Sequence, residues 1–371
     1  VSTAERPLGM DRPLSGMRVV ELASVLAGPL AGSFFAELGA EVIKVENPVA
    51  GGDVTRQWRA AGESHQGPSA YYVAANGPKE VRMLNLKEDA GRATLEVLLT
   101  GADILLQNFK TSGLDQLGLN PEAVSERHPH LIHVHLKGFL TEEDRAGYDM
   151  VVQAETGFMA MNGGPEVEAF RMPVALMDVL AAHQMRSAAL LALWQRERDG
   201  KGSYLEVWLD ASGFSALANR ATEYLVAGQE PRASGALHPQ IAPYGEAFLC
   251  SCGGKIVTAV GSDPQFKALC ALLGAPEWAK DERFASNPMR VQHRAVLAEC
   301  LAPLFVKVRA ETLLTAALEK GVPLGKVNPV SAALETAAGQ AMTATFEMEG
   351  QVVRHVRQVA FRIHRNGKRS T

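Results

Sequence analysis

The strand, helix, strand order at the start of the chain restricts its fold more than any other feature. Residues 18–22 (Arg-Val-Val-Glu-Leu) read as a short buried strand after the polar turn Leu14-Ser-Gly16. Residues 23–29 form a turn, and Pro29 suits the first helical position, where its missing N–H has no partner to lose. Residues 30–38 are apolar at helical spacing and stop at Gly39, and residues 41–45 (Glu-Val-Ile-Lys-Val) are the next strand. Two strands joined through a helix pair in parallel, so the chain predicts an α/β fold with a sheet of nucleotide-binding type. The pattern recurs as helix 89–100, strand 103–106, helix 121–126 and strand 131–135.

The rest of the chain reads differently. Residues 173–194 are the most apolar stretch; a charged run follows at 196–201, with Gly200 and Gly202 as helix stops. Residues 204–209 alternate as a strand. From about Arg232, the residues Ser234, Gly235, Pro239, Pro243 and Gly245 mark a linker. A hairpin-like segment, 247–260, turns at Gly253-Gly254 and leads into short helices. The 371 residues suit two domains. The expected layout is a large Rossmann-like domain from 1–225, a linker and smaller α+β domain at 226–325, and a return to the large domain at 326–371, with a strand at 352–363.

Charge and cysteine content exclude several classes of function. A net charge of −4 gives no support for nucleic-acid binding as the main role. No apolar run reaches the ~18 residues of a membrane span, and residues 1–13 lack the apolar core of a secretory signal. Cys250, Cys252, Cys270 and Cys300 are too few for a disulfide framework, which favours a reducing cytoplasm.

Asp178 is the strongest chemical signal. It is the only charged residue between Pro173 and Gln184, and a carboxylate among apolar neighbours costs several kcal/mol unless it is compensated. Two readings stand side by side. Asp178 can cap a helix over 179–198, or it can be a desolvated nucleophile kept ionised by the helix dipole. Tyr148 and Asp149 are either site groups or the polar lip of a helix start. His128, His130, His133 and His135 invite a metal, but no acid or cysteine stands at ligand spacing, so none is predicted. The turn 23–29 offers backbone N–H groups to an anion, and Lys79, Arg82, Lys87, Lys110 and Arg145 fall in loops near strand ends.

With these residues laid out, the chain resembles the family III CoA-transferases (the CaiB/BaiF family) over almost its whole length. The resemblance is carried by Pro13-Leu-Ser-Gly-Met-Arg-Val-Val-Glu-Leu22, Ala27-Gly-Pro29, Leu38-Gly-Ala-Glu-Val-Ile-Lys-Val-Glu46 and Gly51-Gly-Asp53 with Arg56. It continues through Gln107-Asn-Phe-Lys110, Gly147-Tyr-Asp149, Gly200-Lys-Gly202, His238-Pro-Gln-Ile-Ala-Pro-Tyr244 and Gly321-Val-Pro-Leu-Gly-Lys-Val327. It implies an interlocked homodimer with no permanently bound cofactor, using acyl-CoA and a small carboxylic acid as substrates. In this family an aspartate in the frame of Asp178 attacks the thioester, and CoA passes through an aspartyl anhydride and an enzyme–CoA thioester. By position, Ala27, Asn47, Lys79, Asn108, Phe109 and Arg145 would bind CoA, with Tyr148 and Leu26 near the reacting centre. Other readings are a racemase or epimerase of the same family, or a non-catalytic acyl-CoA-binding protein.

The chain departs from family patterns at defined points. Leu26 replaces the glutamine of oxalate-using members, which argues against an oxalate acceptor. Asn47 replaces a common basic residue and Gln116 an arginine. Tyr148 replaces the histidine of the racemase branch, so two-base racemisation is not expected. The long glycine-rich loop is reduced to Gly253-Gly254, and the Pro-Pro-x-Leu-Gly-like closing segment of many members is absent before Thr371.

Overall fold

The computed structural model describes residues 12–164 and 169–363. Its main sheet consists of β1 (Arg18–Glu21), β2 (Glu41–Glu46), β3 (Glu80–Met83), β4 (Ile104–Gln107), β5 (Ile132–Lys137) and β6 (Ser203–Trp208). All neighbours pair in parallel, in the order β3-β2-β1-β4-β5-β6. This is the doubly wound order, in which connections leave in opposite directions on either side of β1 and β4.

Between the strands run α1 (Ala27–Glu37), α2 (Ala70–Ala75), α3 (Asp89–Thr100), α4 (Pro121–Arg127), α5 (Asp149–Glu155), α6 (Phe158–Met161) and α7 (Leu176–Asp199). Helices α8 (Leu209–Ala216) and α9 (Ala218–Ala227) follow β6. The central strands are apolar on both sides because both are covered. Val19, Ile104 and Leu106 join Phe34 and Phe35 of α1 and Met177 and Met185 of α7 in one core. Val20 and Leu105 face the other way, onto Leu95 and Leu99 of α3 and Val124 of α4. The alternation is the period-two geometry of a strand, and each such large side chain contributes about 1.5–3 kcal/mol on burial.

The observed elements differ from the expectations in several places. Helix α1 starts at Ala27, so Pro29 is its third residue, where an N–H is still without an intrahelical partner. Strand β3 was not foreseen, and Arg82 lies in it rather than in a loop. It is an edge strand with charged, largely exposed side chains, so it lacks an apolar signature. Strand β6 ends at Trp208, and Leu209 already begins α8. Helix α7 begins at Leu176 with Ala175 at the N-cap, so Asp178 lies inside its first turn and is not its cap.

Within the described residues the chain divides into two compact units. One comprises the chain up to Met159, Arg171–Pro231 and the chain from Thr336 onward; the other comprises Ala160–Phe170 and Arg232–Glu335. The second unit contains an antiparallel sheet of β7 (Tyr244–Leu249), β8 (Lys255–Ala259) and β9 (Leu324–Lys326). Its helices include α10 (Asp263–Leu272), opened by a Ser262–Gln265 capping box. Its core gathers Phe248, Ile256, Phe266, Phe284, Leu301 and Phe305.

From Thr336 the chain rejoins the first unit. Instead of a strand over 352–363, it forms a hairpin of β10 (Thr343–Met348) and β11 (Gln351–Val356), which is separate from the main sheet. The segment beyond is held by side chains. Glu37 accepts the N–H groups of Gln358 (2.8 Å) and Val359 (3.0 Å), and Val359 is fully buried.

Candidate active site

In a doubly wound sheet, the turns after β1 and β4 diverge and leave a crevice at the carboxyl ends of the strands. Residues 22–26 and 108–110 occupy those turns. Asn108 ties the two together: its Oδ1 accepts the Ser24 N–H (3.1 Å) and its Nδ2 donates to the Ser24 carbonyl (3.1 Å). A cavity of about 230 Å³ opens here, lined among others by Ala27, Asn108, Phe109, Arg145, Tyr148 and Asp178. A second cavity, about 420 Å³, shares Ser24 and Phe109 with the first and reaches Asn47, Leu84 and Lys87. A third cavity, about 980 Å³, contains none of the predicted site residues except Lys79. Met17, Glu41 and Val42 place it toward the opposite end of the sheet.

Asp149, not Asp178, supplies the missing cap of α7. Its Oδ1 accepts the Met177 N–H at 2.9 Å, and its Oδ2 accepts from Gln153 Nε2 at 2.7 Å. Gln153, fully buried, in turn accepts the Met172 N–H at 2.7 Å. With the helix end satisfied from another segment, Asp178 is released from capping. Burial, and then the neighbouring Asp149 charge, push its carboxyl up to about 7, against a hydrogen-bonding pull from the Ala27 backbone N–H. Burial also raises Asp149, opposed by Met177 and Gln153. Two carboxyls thus share one end of a helix, one hydrogen-bonded and structural, the other desolvated and facing a cavity.

The remaining predicted residues divide according to their contacts. Tyr148 is 65% exposed at the cavity rim. The Arg145 guanidinium stacks on Phe139 (4.0 Å to the ring centre) and pairs with Glu142 (2.9 Å) and Glu155. Asn47 lines only the second cavity, where its side chain accepts the Val49 N–H. Leu26 is half-buried and lines neither cavity.

Lys79, expected by position to bind CoA, makes its contacts within the protein. Its side chain is fully enclosed, 2.8 Å from Glu21, and its ammonium also donates to the carbonyls of Pro29 (2.7 Å) and Ala75 (3.1 Å). All its donors are used inside the protein, and burial lowers its affinity for a proton to about pH 8.

The histidines have structural work of their own. Burial pushes His133 down to about 3 and lowers His135 as well, so both are neutral. His135 Nε2 lies 2.8 Å from the Phe109 carbonyl, which can only accept, so Nδ1 takes the Tyr204 hydroxyl proton at 2.8 Å. The pair props the loop that carries Phe109.

Sequence reasoning missed Tyr71, the second residue of α2. Burial pushes its hydroxyl up to about 12, and the next causes are the charges of Asp178, Asp149 and Asp53. Only tertiary structure brings it near these acids, since Tyr71 and Tyr72 are indistinguishable by pattern. Gln153 was missed for the same reason.

Comparison with known proteins points to one family. The family model described as CoA-transferase family III matches residues 14–370. The chain is 37% identical over 348 residues to a succinate–glutarate CoA-transferase of Agrobacterium fabrum, covering 91% of this chain and 86% of that protein. It is 33% identical to the human succinyl-CoA:glutarate CoA-transferase, covering 85% and 72% of the two chains. A crystal structure of a CaiB/BaiF family protein from Brucella suis superposes with a TM-score of 0.83 at 36% identity, covering 95% and 93%.

Proposed function

Because this chain belongs to CoA-transferase family III, we propose that it passes coenzyme A from an acyl-CoA to a free carboxylate through covalent intermediates on Asp178. The observation that carries this reading is the Asp178 carboxyl itself: desolvated, relieved of capping, and directed with the Ala27 N–H into a cavity at the carboxyl end of the sheet. A carboxyl held near pH 7 ionises to a more basic anion than an ordinary aspartate, and a more basic anion is the stronger nucleophile.

The reaction has four balanced steps. Asp178 adds to the thioester carbonyl, and the collapsing tetrahedral centre expels CoA thiolate and leaves an aspartyl acyl anhydride. The thiolate attacks the aspartyl carbonyl and releases the donor carboxylate, giving an enzyme–CoA thioester. The acceptor carboxylate attacks that thioester, restoring an anhydride and freeing the thiolate. The thiolate takes the acceptor acyl group, and Asp178 returns as carboxylate. Each tetrahedral centre carries an oxyanion that a backbone N–H such as that of Ala27 stabilises.

The two adjoining cavities divide the substrate. The nucleotide end of CoA fits the 420 Å³ cavity beside Asn47 and Lys87, and the pantetheine passes Phe109 toward Asp178. Binding energy from that distant part holds the thioester against the nucleophile. Asn108 and Arg145 line the inner cavity, with Tyr148 at its mouth. Relatives whose names specify succinate and glutarate support short dicarboxylic acids as partners, and Lys110 in the lining supplies positive charge for a second carboxylate.

The working form is an interlocked homodimer in the cytoplasm. Leu191 and Trp194 on α7 and Leu225 and Val226 on α9 are more than half exposed, an apolar surface that a second copy would cover. Four free thiols suit a reducing compartment. The test is a screen of acyl-CoA donors against succinate, glutarate, oxalate and other acids, with exchange read by mass spectrometry. Transfer to a dicarboxylate that Asp178→Ala abolishes supports the reading, and transfer that survives Asp178→Ala refutes it.

A further inference from the structure

Val25, two residues before Ala27, has φ of 74°. That left-handed conformation is strongly disfavoured for a β-branched residue, so the surrounding structure must impose it. The Val25 N–H donates to the Asp53 carboxylate (3.2 Å to Oδ2). The Lys44 ammonium donates to the carbonyl of Ala23 at 2.8 Å. Asn108 grips Ser24 between them from the β4 side.

Asp53 and Lys44 are also partners. Their charged atoms lie 3.1 Å apart with both side chains about 1% exposed. Asp53 is fixed further by the Thr55 N–H (3.0 Å) and hydroxyl (2.8 Å), and Lys44 by Glu21 (3.0 Å). Neither residue lines the cavity that holds Asp178, whereas both border the second cavity. A buried ion pair is a poor source of stability, because desolvation offsets its attraction. Here its hydrogen bonds reach the Ala23 carbonyl and the N–H of the strained Val25, two residues ahead of the N–H that faces the nucleophile.

We propose that Asp53, acting with Lys44, is a positioning residue for CoA transfer: it holds residues 23–25 in the strained turn that aims the Ala27 N–H at the Asp178 carboxyl. The inference rests on the reading of Asp178 as nucleophile. The groups that face Asp178 are Asp149 from α5, Tyr71 from α2 and the Ala27 N–H from the start of α1.

The test compares kcat and the pH profile of kcat/KM for Asp53→Ala, Asp53→Ala with Val25→Gly, and Asp178→Ala. Asp53→Ala lowers kcat by about 10²-fold, the scale of an ångström-sized misplacement at a reacting centre. It also moves the acid limb of kcat/KM to higher pH, because Asp178 loses the N–H that favours its anion. Removing the Asp53 charge without moving the turn shifts that limb to lower pH, so the direction separates aim from charge. Adding Val25→Gly restores at least about tenfold of the loss, since glycine takes positive φ at little steric cost. If Asp53→Ala does not fold, Asn108→Ala releases the same turn from the other side and carries the same prediction for the limb. A limb that stays put or falls, or a loss that Val25→Gly does not rescue, overturns the inference. Full transfer by Asp178→Ala would instead remove the reading beneath it.

Discussion

Replacing Asp178 by asparagine stabilises this protein at alkaline pH while destroying its chemistry. The folded carboxyl ionises near pH 7, whereas an unstructured aspartate ionises at 3.8. The folded state therefore binds more protons across that window, and stability falls as pH rises through it. About three pH units at 1.36 kcal/mol each gives an upper bound of about 4 kcal/mol. The cavity gives Asp178 some contact with solvent, which reduces the figure, and the part falling between pH 5 and pH 8 is about 2 kcal/mol. Asparagine keeps the shape and cannot ionise. The assay is urea unfolding of wild type and Asp178→Asn at both pH values. The variant should gain about 2 kcal/mol over wild type on going from pH 5 to pH 8, and CoA exchange should be lost. A variant whose difference from wild type is the same at both pH values would refute the claim that the folded protein suppresses ionisation of this group.

Three further outcomes follow from the same geometry. Asp149→Asn removes the like charge beside Asp178, so the acid limb of kcat/KM should move to lower pH; an upward move would contradict the electrostatic account. Lys79→Met removes the 2.8 Å partner of Glu21, which keeps Lys44 at 3.0 Å, and should cost about 1–3 kcal/mol in urea unfolding, with KM for acyl-CoA unchanged within about twofold; a KM rise on the scale expected for a lost phosphate contact would restore Lys79 as a ligand. Gly28→Ala places a methyl 2.2 Å from the Ala23 Cβ, so the site turn must shift; a stability loss of about 1–3 kcal/mol, seen as a lowered thermal midpoint, should accompany a fall in kcat, and wild-type values for both would mean the turn is not constrained.

What was legible in the sequence was what local pattern encodes. The buried parallel strands were visible because Val19-Val20 and Ile104-Leu105-Leu106 are apolar on both faces, a signal no loop produces. Strand β3 was invisible because its partner lies on one side only and its residues face solvent. Asp178 stood out as a lone charge in an apolar frame, and the structure places it in the first turn of α7 but gives the cap to Asp149, 28 residues before the Met177 N–H that it holds. Capping from a distant segment leaves no local trace. Lys79 and Asn108 were both expected by position to bind CoA, yet one is sealed against Glu21 and the other lines the cavity. Tyr71 and Gln153 became visible only once the acids they face were brought together, because burial and charge proximity are tertiary properties.

The account turns on a covalent bond to one side chain. Incubating the protein with an acyl-CoA donor in the absence of an acceptor, quenching with hydroxylamine, and mapping peptides by mass spectrometry reads that bond directly. The account predicts hydroxamate at Asp178 and nowhere else, dependent on the donor and absent from Asp178→Asn. An unmodified Asp178 peptide under conditions where CoA exchange proceeds, or the adduct on another residue, would contradict it.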